Sequence, residues 1–490
     1  MPFLGYLEYG GVEILNEART QAYSQRAGIG MTCQPCQGLL DSLGAPSYTT
    51  PKQDRAPWYD PHYPESQRVI GFLGMDVVGT GQSTATRTPT EAVGDGSVIG
   101  PLRMAHRELQ VTLAAVALDQ CALMYALGWL AHVLKGNSCA ENECSGLTLC
   151  LYSCCPEDDD GDVPGQRSKY LRHFMDVGLM EGPTMISLTG GQPGGSGGDS
   201  SLTAGGGETG TAGTGTISAI SGSATGGCSG FGRSRGGSGV ATGFEFTLVA
   251  GKPWAYADSI QVIDWTKFVK GSKVTNFDPD RQREDCEQQQ REQGPKCDEN
   301  PHCPFPQSVP SIPVPVDPCY PARPYNAWRT IKTVSPLSIP RQAEGVPYIQ
   351  FDTGALPLEN TLIRFYQNLQ GRDCADYPPE PCSACAEVFI PWMPSNASIT
   401  LDGRNQQAHA RCRQKDPALR FVHTTQRVSL IGPGGTAFTW PVFPCGTGYC
   451  VEIVTSQQVT VMDESGDDQR VNIDSMAEFS IGYVARFDAV

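Results

Sequence analysis

Gly243-Phe-Glu-Phe-Thr-Leu-Val-Ala-Gly-Lys-Pro-Trp-Ala-Tyr256 is an alternating run that resumes after a long glycine tract. Alternation with a period of two marks a half-buried β-strand. A second strand-like run, Pro183–Thr189, lies on the other side of the tract. Between them Gly190–Gly243 holds 21 glycines in 54 residues, mixed with Ser, Thr and Ala. That composition buries too little apolar surface to offset the entropy of ordering it. The reading is a sheet protein with a flexible insertion between two strands that pair with each other. Enzymes rarely need such an insertion, whereas one tile of a large assembly tolerates it.

The 490 residues suggest two or three domains, and 39% apolar residues suffice for real cores. A net charge of −16 argues against a nucleic-acid partner, which requires a clustered basic face. The opening Met-Pro-Phe-Leu-Gly-Tyr-Leu-Glu-Tyr lacks the basic and apolar regions of a secretory signal. Val111–Leu134 is mostly apolar, but Asp119 near its centre would cost roughly 2.5–3.5 kcal/mol in a bilayer, so no membrane insertion is expected. Its period also changes. Arg107, Leu109, Val111 and Leu113 alternate with Glu108, Gln110 and Thr112, as in a strand. From Asp119, a plausible N-cap, the period is helical, with Cys121, Met124, Tyr125, Gly128 and Trp129 as a stripe and Gly136 as the stop.

Along the chain, residues 1–270 read as one α+β domain carrying the glycine-rich insertion 190–243. It opens on a hairpin, Tyr6–Leu15 around Gly10-Gly11, and two further strands are expected at Tyr170–Val177 and across the split pair 184–189 and 243–250. Residues 271–345 read as a connector: a charged, Gln-rich run is followed by nine prolines in Pro301–Pro324, which give a stiff extended spacer. Residues 346–490 read as an antiparallel β-sandwich, from short runs at Tyr348–Asp352, Thr361–Tyr366, Glu387–Ile390, Ala397–Leu401 and Tyr449–Val454 and the hairpin signal Asp402-Gly403. The fold class is therefore mainly β.

Nineteen cysteines fit a chain made in a reducing cytoplasm that later works outside the cell. Three readings stand: mostly local disulfides, buried thiols, or a metal site. Cys445 with Cys450 and Cys286 with Cys297 are the candidate local pairs. Only Cys33/Cys36 and Cys382/Cys385 have metal-knuckle spacing, and they fall in different domains. Gly205-x-Gly207-x-x-Gly210 matches a dinucleotide fingerprint formally, but it follows no strand and opens no helix. Asp158–Asp162 is acidic, but an EF-hand reading places Val163 and Lys169 where Gly and Glu belong. No nucleophile elbow, zinc-protease or phosphate-loop pattern occurs, and the seven histidines are scattered. No catalytic residue, cofactor or metal is expected.

Several segments together resemble the minor tail proteins of long-tailed phages that infect actinobacteria. These are Leu4–Asn16 with Ala18–Tyr23, Arg107–Leu113 with Gly128–Leu130 and Leu134–Gly136, Val177–Pro183, Phe246–Tyr256, and Glu387–Pro394 with Thr400–Arg404. Within that group the domain order resembles the distal tail protein. The resemblance implies a tail-tube-like β-sandwich with a flanking helix that forms a ring, followed by a galectin-like β-sandwich. It implies a virion component at the tail tip, a homo-oligomer of six copies, and tail tube, tape measure and tail-tip hub proteins as partners. The alternative is a receptor- or carbohydrate-binding tail-tip protein. Trp392 and Trp440 could then stack on sugar, although tryptophans in a sandwich more often sit in its core.

Overall fold

Gly10 and Gly11 take φ of 59° and 79° in the computed structural model of the chain, the left-handed pair that a tight hairpin turn demands. They join β1 (Tyr6–Tyr9) to β2 (Val12–Asn16), as the sequence predicts. The structure describes residues 3–33, 36–44, 46–91, 95–136, 146–156, 170–186, 228–233, 239–271, 273–278, 282, 285, 325–335, 339–340, 342–368, 371–415, 421–432, 436–443, 448–462 and 468–488. Its contacts divide the chain into a first unit, Met1–Asp258 with Phe487–Val490, and a second, Ser259–Arg486.

In the first unit Asn16 caps α1 (Glu17–Arg26), its side chain accepting from the Arg19 amide. Next come β3 (Ile29–Cys33), α2 (Gln37–Ser42) and β4 (Val69–Val78). The short strands β5 (Ala85–Thr86), β6 (Pro89–Glu91), β7 (Ser97–Ile99) and β8 (Arg103–Met104) pair as two ribbons, β5 with β8 and β6 with β7. The unit continues with β9 (Arg107–Ala117), α3 (Gln120–Lys135), β10 (Leu147–Tyr152), β11 (Leu171–Ile186), β12 (Cys228–Arg233), β13 (Val240–Ala250) and the start of β14 (Ala255–Lys267).

β11 is the spine of this unit. Its first half pairs with β10 and β14, and its second half with β13. β13 pairs in turn with β9, and β9 with β4. The arms β2-β1-β10-β11 and β11-β13-β9-β4 share one core, in which Leu7, Ile14 and Leu15 of the first meet Phe72, Val111, Leu113 and Phe246 of the second. The two strands expected at 170–177 and 184–189 are one element, because register shifts between Leu179 and Thr184 absorb the Gly182-Pro183 bend. Across the glycine tract Ile186 pairs with Gly243 and Met185 with Phe244, as predicted. The tract is not wholly without structure: Cys228–Arg233 within it pairs antiparallel with β3, because a strand edge accepts any backbone that supplies hydrogen-bonding groups.

On β9, Arg107, Leu109, Val111 and Leu113 are buried while Glu108 and Gln110 are exposed. From Leu113 to Ala117 both faces are buried, where α3 lies against β9 and β13. Asp119 caps α3 by accepting from the Ala122 amide at 3.0 Å, and Gly136 ends it at φ 62°. The stripe expected at Cys121, Met124, Tyr125, Gly128 and Trp129 is wrongly phased: the buried face is Ala122, Leu123, Ala126, Leu130 and Leu134, with Cys121 and Met124 exposed. Alanine lets the helix backbone approach the sheet, so in a helix apolar on every side the bulkiest residues do not mark the inner face.

Arg107 begins β9 at 1% exposure. Its Nε donates to the Pro253 carbonyl at 2.7 Å, and Nη1 lies 2.6–3.1 Å from the carbonyls of Gly79, Thr80 and Gln82. Nη2 donates to the Asp488 carbonyl, and the Asp488 carboxylate is 4.0 Å away. Gly79 holds φ 99°, and a Cβ there would collide with the Glu108 carbonyl, so only glycine brings this loop to the guanidinium. Burial pulls the Arg107 pKa down and Asp488 opposes it.

The second unit comprises the rest of β14, α4 (Phe268–Gly271), β15 (Lys273–Phe277), β16 (Tyr325–Val334), β17 (Glu344–Asp352), β18 (Leu358–Asn368), β19 (Ala386–Met393), β20 (Ala397–Asp402), β21 (Gln407–Lys415), β22 (Phe421–Arg427), β23 (Gly448–Ser456), β24 (Gln458–Met462), β25 (Asp468–Asn472) and β26 (Glu478–Phe487). One sheet runs β15-β16-β23-β18-β19 and the other β14-β26-β17-β20-β21-β22, with β24 and β25 as a separate hairpin. β23 is buried along its whole length, and its Tyr449 hydroxyl donates to the Gly482 carbonyl of β26 at 2.6 Å, linking the sheets. The contact boundary falls at Asp258/Ser259, earlier than residue 270. β15 and β16, inside the span 271–345 read as connector, are strands of the five-stranded sheet, with Thr330 opposite Ile453. Composition marks where the chain is proline-rich, whereas a sheet recruits strands from either side of such a tract.

Replacing residues 189–239 by a short turn is expected to leave the first unit folded. The β11–β13 ladder already joins the flanks, and shortening the loop favours folding by about 2 kcal/mol from closure entropy, against the lost β3–β12 pairing. Circular dichroism and thermal melting check this, and a variant that does not fold would make the tract a structural element. Arg107→Met should lower the unfolding free energy by about 3 kcal/mol in urea titration, because several buried carbonyls lose their donor together. A loss below about 1 kcal/mol would show that water replaces the guanidinium.

Candidate functional site

The two tryptophans proposed for sugar stacking have different fates. Trp392, on the edge strand β19 opposite Glu359, is 53% exposed. Trp440 is buried, its ring 5.0 Å from that of Phe438, which stacks in turn on Phe365. Of these two tryptophans, Trp392 alone presents its ring to the surface. Other large apolar side chains lie exposed in each unit: Met180 and Met185 on β11 in the first, Val274 on the edge strand β15 and Met462 on β24 in the second. Local sequence pattern does not single these positions out, since Met180 adjoins Leu179, Met185 adjoins Ile186 and Met462 adjoins Val461.

The two disulfides in which both cysteines are described are long-range. Cys36 pairs with Cys155 across 119 residues at a Cα separation of 5.8 Å, and Cys374 with Cys450 across 76 residues at 6.1 Å. Cys450 is therefore joined to Cys374 and not to Cys445, a correction with a plain cause. Cys450 sits opposite Tyr366 on β18, and the loop after β18 returns over the sheet face, where Asn368 reaches Cys374 and Thr333 accepts its amide at 2.8 Å. Cys445, Cys286 and Cys297 lie outside the described residues, as do Asp158–Asp162 and the Gly205–Gly210 match. Cys121, Cys154 and Cys385 are exposed thiols, Cys412 a half-buried one and Cys150 a buried one. Among the described residues no group of three or more His, Cys, Asp or Glu side chains has metal-binding geometry.

Beneath the Cys374–Cys450 bridge lies a buried ionic chain. Arg364 Nε is 2.5 Å from Glu387 and its Nη1 3.7 Å from Glu452. Glu452, 1% exposed, also meets Arg329 Nε at 2.5 Å and accepts from the Tyr366 hydroxyl at 2.6 Å. Burial works against the Arg364 charge, but Glu387 and Glu452 overcome it and hold the guanidinium above its usual range. Burial, then Glu452, drives the Tyr366 phenol far up. Both carboxylates are engaged by cations on neighbouring strands, an arrangement that fixes register rather than one poised for acid–base chemistry.

A third cluster was not found from the sequence. Cys150 and His173 are register partners on β10 and β11, with Cys150 Sγ 3.0 Å from His173 Nδ1. His173 Nε2 lies 2.6 Å from Asp258 Oδ1. Cys150 is 5% and His173 7% exposed. The three come from positions 150, 173 and 258 with no local motif, so only strand pairing brings them together. The cavity lined by Leu7, Leu15, Val111, Leu113 and Leu151 has a volume of about 10 Å3, room for at most one water and not for a substrate. No helix among the described residues is long and apolar enough to cross a membrane.

No protein-family model and no curated protein matches the chain. Among solved structures it is similar to the phage SPP1 Dit protein, described as a hub adsorption apparatus of phages infecting Gram-positive hosts, at 9% identity, 79% of this chain, 93% of that chain and a TM-score of 0.29. It is similar to the phage P2 baseplate in its activated conformation with Ca, at 8% identity, 86% and 92% coverage and a TM-score of 0.33. The CBM2 module of the evolved Dit of Lactobacillus casei BL23 phage J-1 covers 33% of this chain at 15% identity and a TM-score of 0.11. At these scores the likenesses carry no argument about function.

Proposed function

We propose that this chain is a structural virion protein of a long-tailed phage, a distal tail-tip ring subunit that joins the tail tube to the tip complex. The observation that carries the reading is how the family-like segments map onto elements. Leu4–Asn16 is the β1–β2 hairpin, Arg107–Gly136 is β9 followed by the flanking helix α3, Val177–Pro183 and Phe246–Tyr256 fall on the β11–β13–β14 pairing, and Glu387–Arg404 runs from β19 of one sheet of the second unit into β20 of the other. On this reading the first unit is the tail-tube-like ring domain and the second the galectin-like sandwich. Strands β4, β15, β19 and β22 end their sheets among the described residues, and closing a ring of copies is one way to leave no such edge open. The partners are further copies of the chain, six by resemblance, with tail tube, tape measure and tip hub proteins. The work of such a subunit is shape and contact, so the reading assigns it no reaction.

A second reading has one observation in its favour. Trp392 is a half-exposed indole on a sheet edge, the kind of face that stacks on a sugar ring. It would make the second unit a carbohydrate-binding module within the same tail tip.

Imaging of intact particles and light scattering of the purified chain test the main reading. A closed ring of 52.6 kDa subunits on the tail axis is expected; monomers at the tail periphery would overturn it. For the second reading, Trp392→Ala should weaken binding to isolated host wall polysaccharide about fivefold with an unchanged melting temperature, since one aromatic stacking contact contributes about 1 kcal/mol. Unchanged binding would remove it.

A further inference from the structure

We propose that Cys150, activated by His173 and Asp258, is a thiol that reacts with hydrogen peroxide to give a sulfenic acid. The three side chains stand in the order nucleophile, base and group that orients the base. His173 Nε2 lies 2.6 Å from Asp258 Oδ1, and a carboxylate accepts, so the ring proton is on Nε2. The Nδ1 lone pair therefore faces Cys150 Sγ at 3.0 Å, placed to take the thiol proton. Asp258 is a positioning residue: it fixes the tautomer and balances the imidazolium that forms. Strand register holds the group together, with Cys150 opposite His173, and His173 opposite Tyr256 on the strand that carries Asp258.

Burial selects the reagent. Cys150 is 5% and His173 7% exposed, which closes the thiol to bulky electrophiles. The Asp258 side chain is 35% exposed and brings the outer end of the hydrogen-bonded series to solvent. Peroxide is little larger than water, carries no charge and brings its own leaving group, so its reaction requires a thiolate and no binding pocket. The charged and titratable groups around the thiol are Glu8, opposite Cys150 on β1, Tyr6, which donates to Glu8 at 2.8 Å, Tyr152, and Arg172, which interacts with Asp258. A buried thiol without a base stays protonated and inert; at Cys150 the base is already in contact.

In the step, Cys150 gives its proton to His173 Nδ1, and the thiolate sulfur attacks one peroxide oxygen. An S–O bond forms and the O–O bond breaks. The sulfur gives up two electrons, and the peroxide accepts them. The departing hydroxide takes the proton from His173 Nδ1 and leaves as water, which restores the neutral base. Cys150 is left as a sulfenic acid, which a thiol reductant reverses. This chemistry is independent of whether the chain forms a ring.

The test uses the full chain with its disulfides intact at pH 7 and compares two reagents of different size. Hydrogen peroxide is stopped with catalase at timed intervals and the chain unfolded in dimedone, which traps sulfenic acids; N-ethylmaleimide is stopped with acid. Peptide masses then report each cysteine separately. N-ethylmaleimide should modify the exposed Cys121 and Cys385 well before Cys150, whereas peroxide should oxidise Cys150 about tenfold faster than either. His173→Gln and Asp258→Asn should each remove most of that advantage while leaving the oxidation of Cys121 and the order of maleimide labelling unchanged. A merely structural histidine would not produce that separation. Oxidation of Cys150 no faster than that of Cys121, or at the wild-type rate in both variants, would overturn the proposal. If His173→Gln does not fold, Asp258→Asn and the opposite order of the two reagents in the wild type decide alone.

Discussion

A guanidinium removed from water must be met by oxygen, and around Arg107 that requirement organises the first unit. One side chain at the head of β9 gathers the carbonyls of the loop after β4, of Pro253 between β13 and β14, and of Asp488 near the end of the chain. Val77, Ala250, Ala255 and Phe487, next to those carbonyls in sequence, also pack in or against the hydrophobic core. The cost of a buried cation without partners, several kcal/mol, makes their convergence a condition of folding. The second unit solves a related problem by a different route: Arg364 and Arg329 are met by Glu387 and Glu452 on neighbouring strands, so charge pairing supports the ladder that hydrogen bonds already define.

Both units are built so that distant segments are fastened by a few strong contacts. β11 belongs to two arms of the first unit and changes partner at Val177, next to Asp176 at φ 60°. The disulfides act in the same sense, joining residues 119 and 76 positions apart where the sheets have already brought them close. A cross-link over so long a loop constrains the unfolded chain more than a local one does.

The exposed surface has another logic. Trp392 and Val274 stand on β19 and β15, the two end strands of the five-stranded sheet. Apolar side chains and open edges in the same places suit contact with other chains better than they suit solvent.

The alternation in Arg107–Leu113 and Phe244–Val249, the Gly10-Gly11 turn, the Asp119 cap and the Gly136 stop were legible from residues alone, because each depends on neighbours within a few positions. So were the strands of the second unit and the pairing across the glycine tract. The inner face of α3 was not legible, since Ala122 and Ala126 are chosen by how near a sheet the helix must lie. Nor were the partner of Cys450, the unit boundary at Asp258, the place of β16 in a sheet, the Arg107 cradle or the Cys150–His173–Asp258 contact. Each of these depends on which strands become neighbours. Local periodicity determines that a segment is a strand and which residues share its face; the choice of partner strand follows from burial and hydrogen bonding summed over the whole unit, and only the tertiary structure decides it.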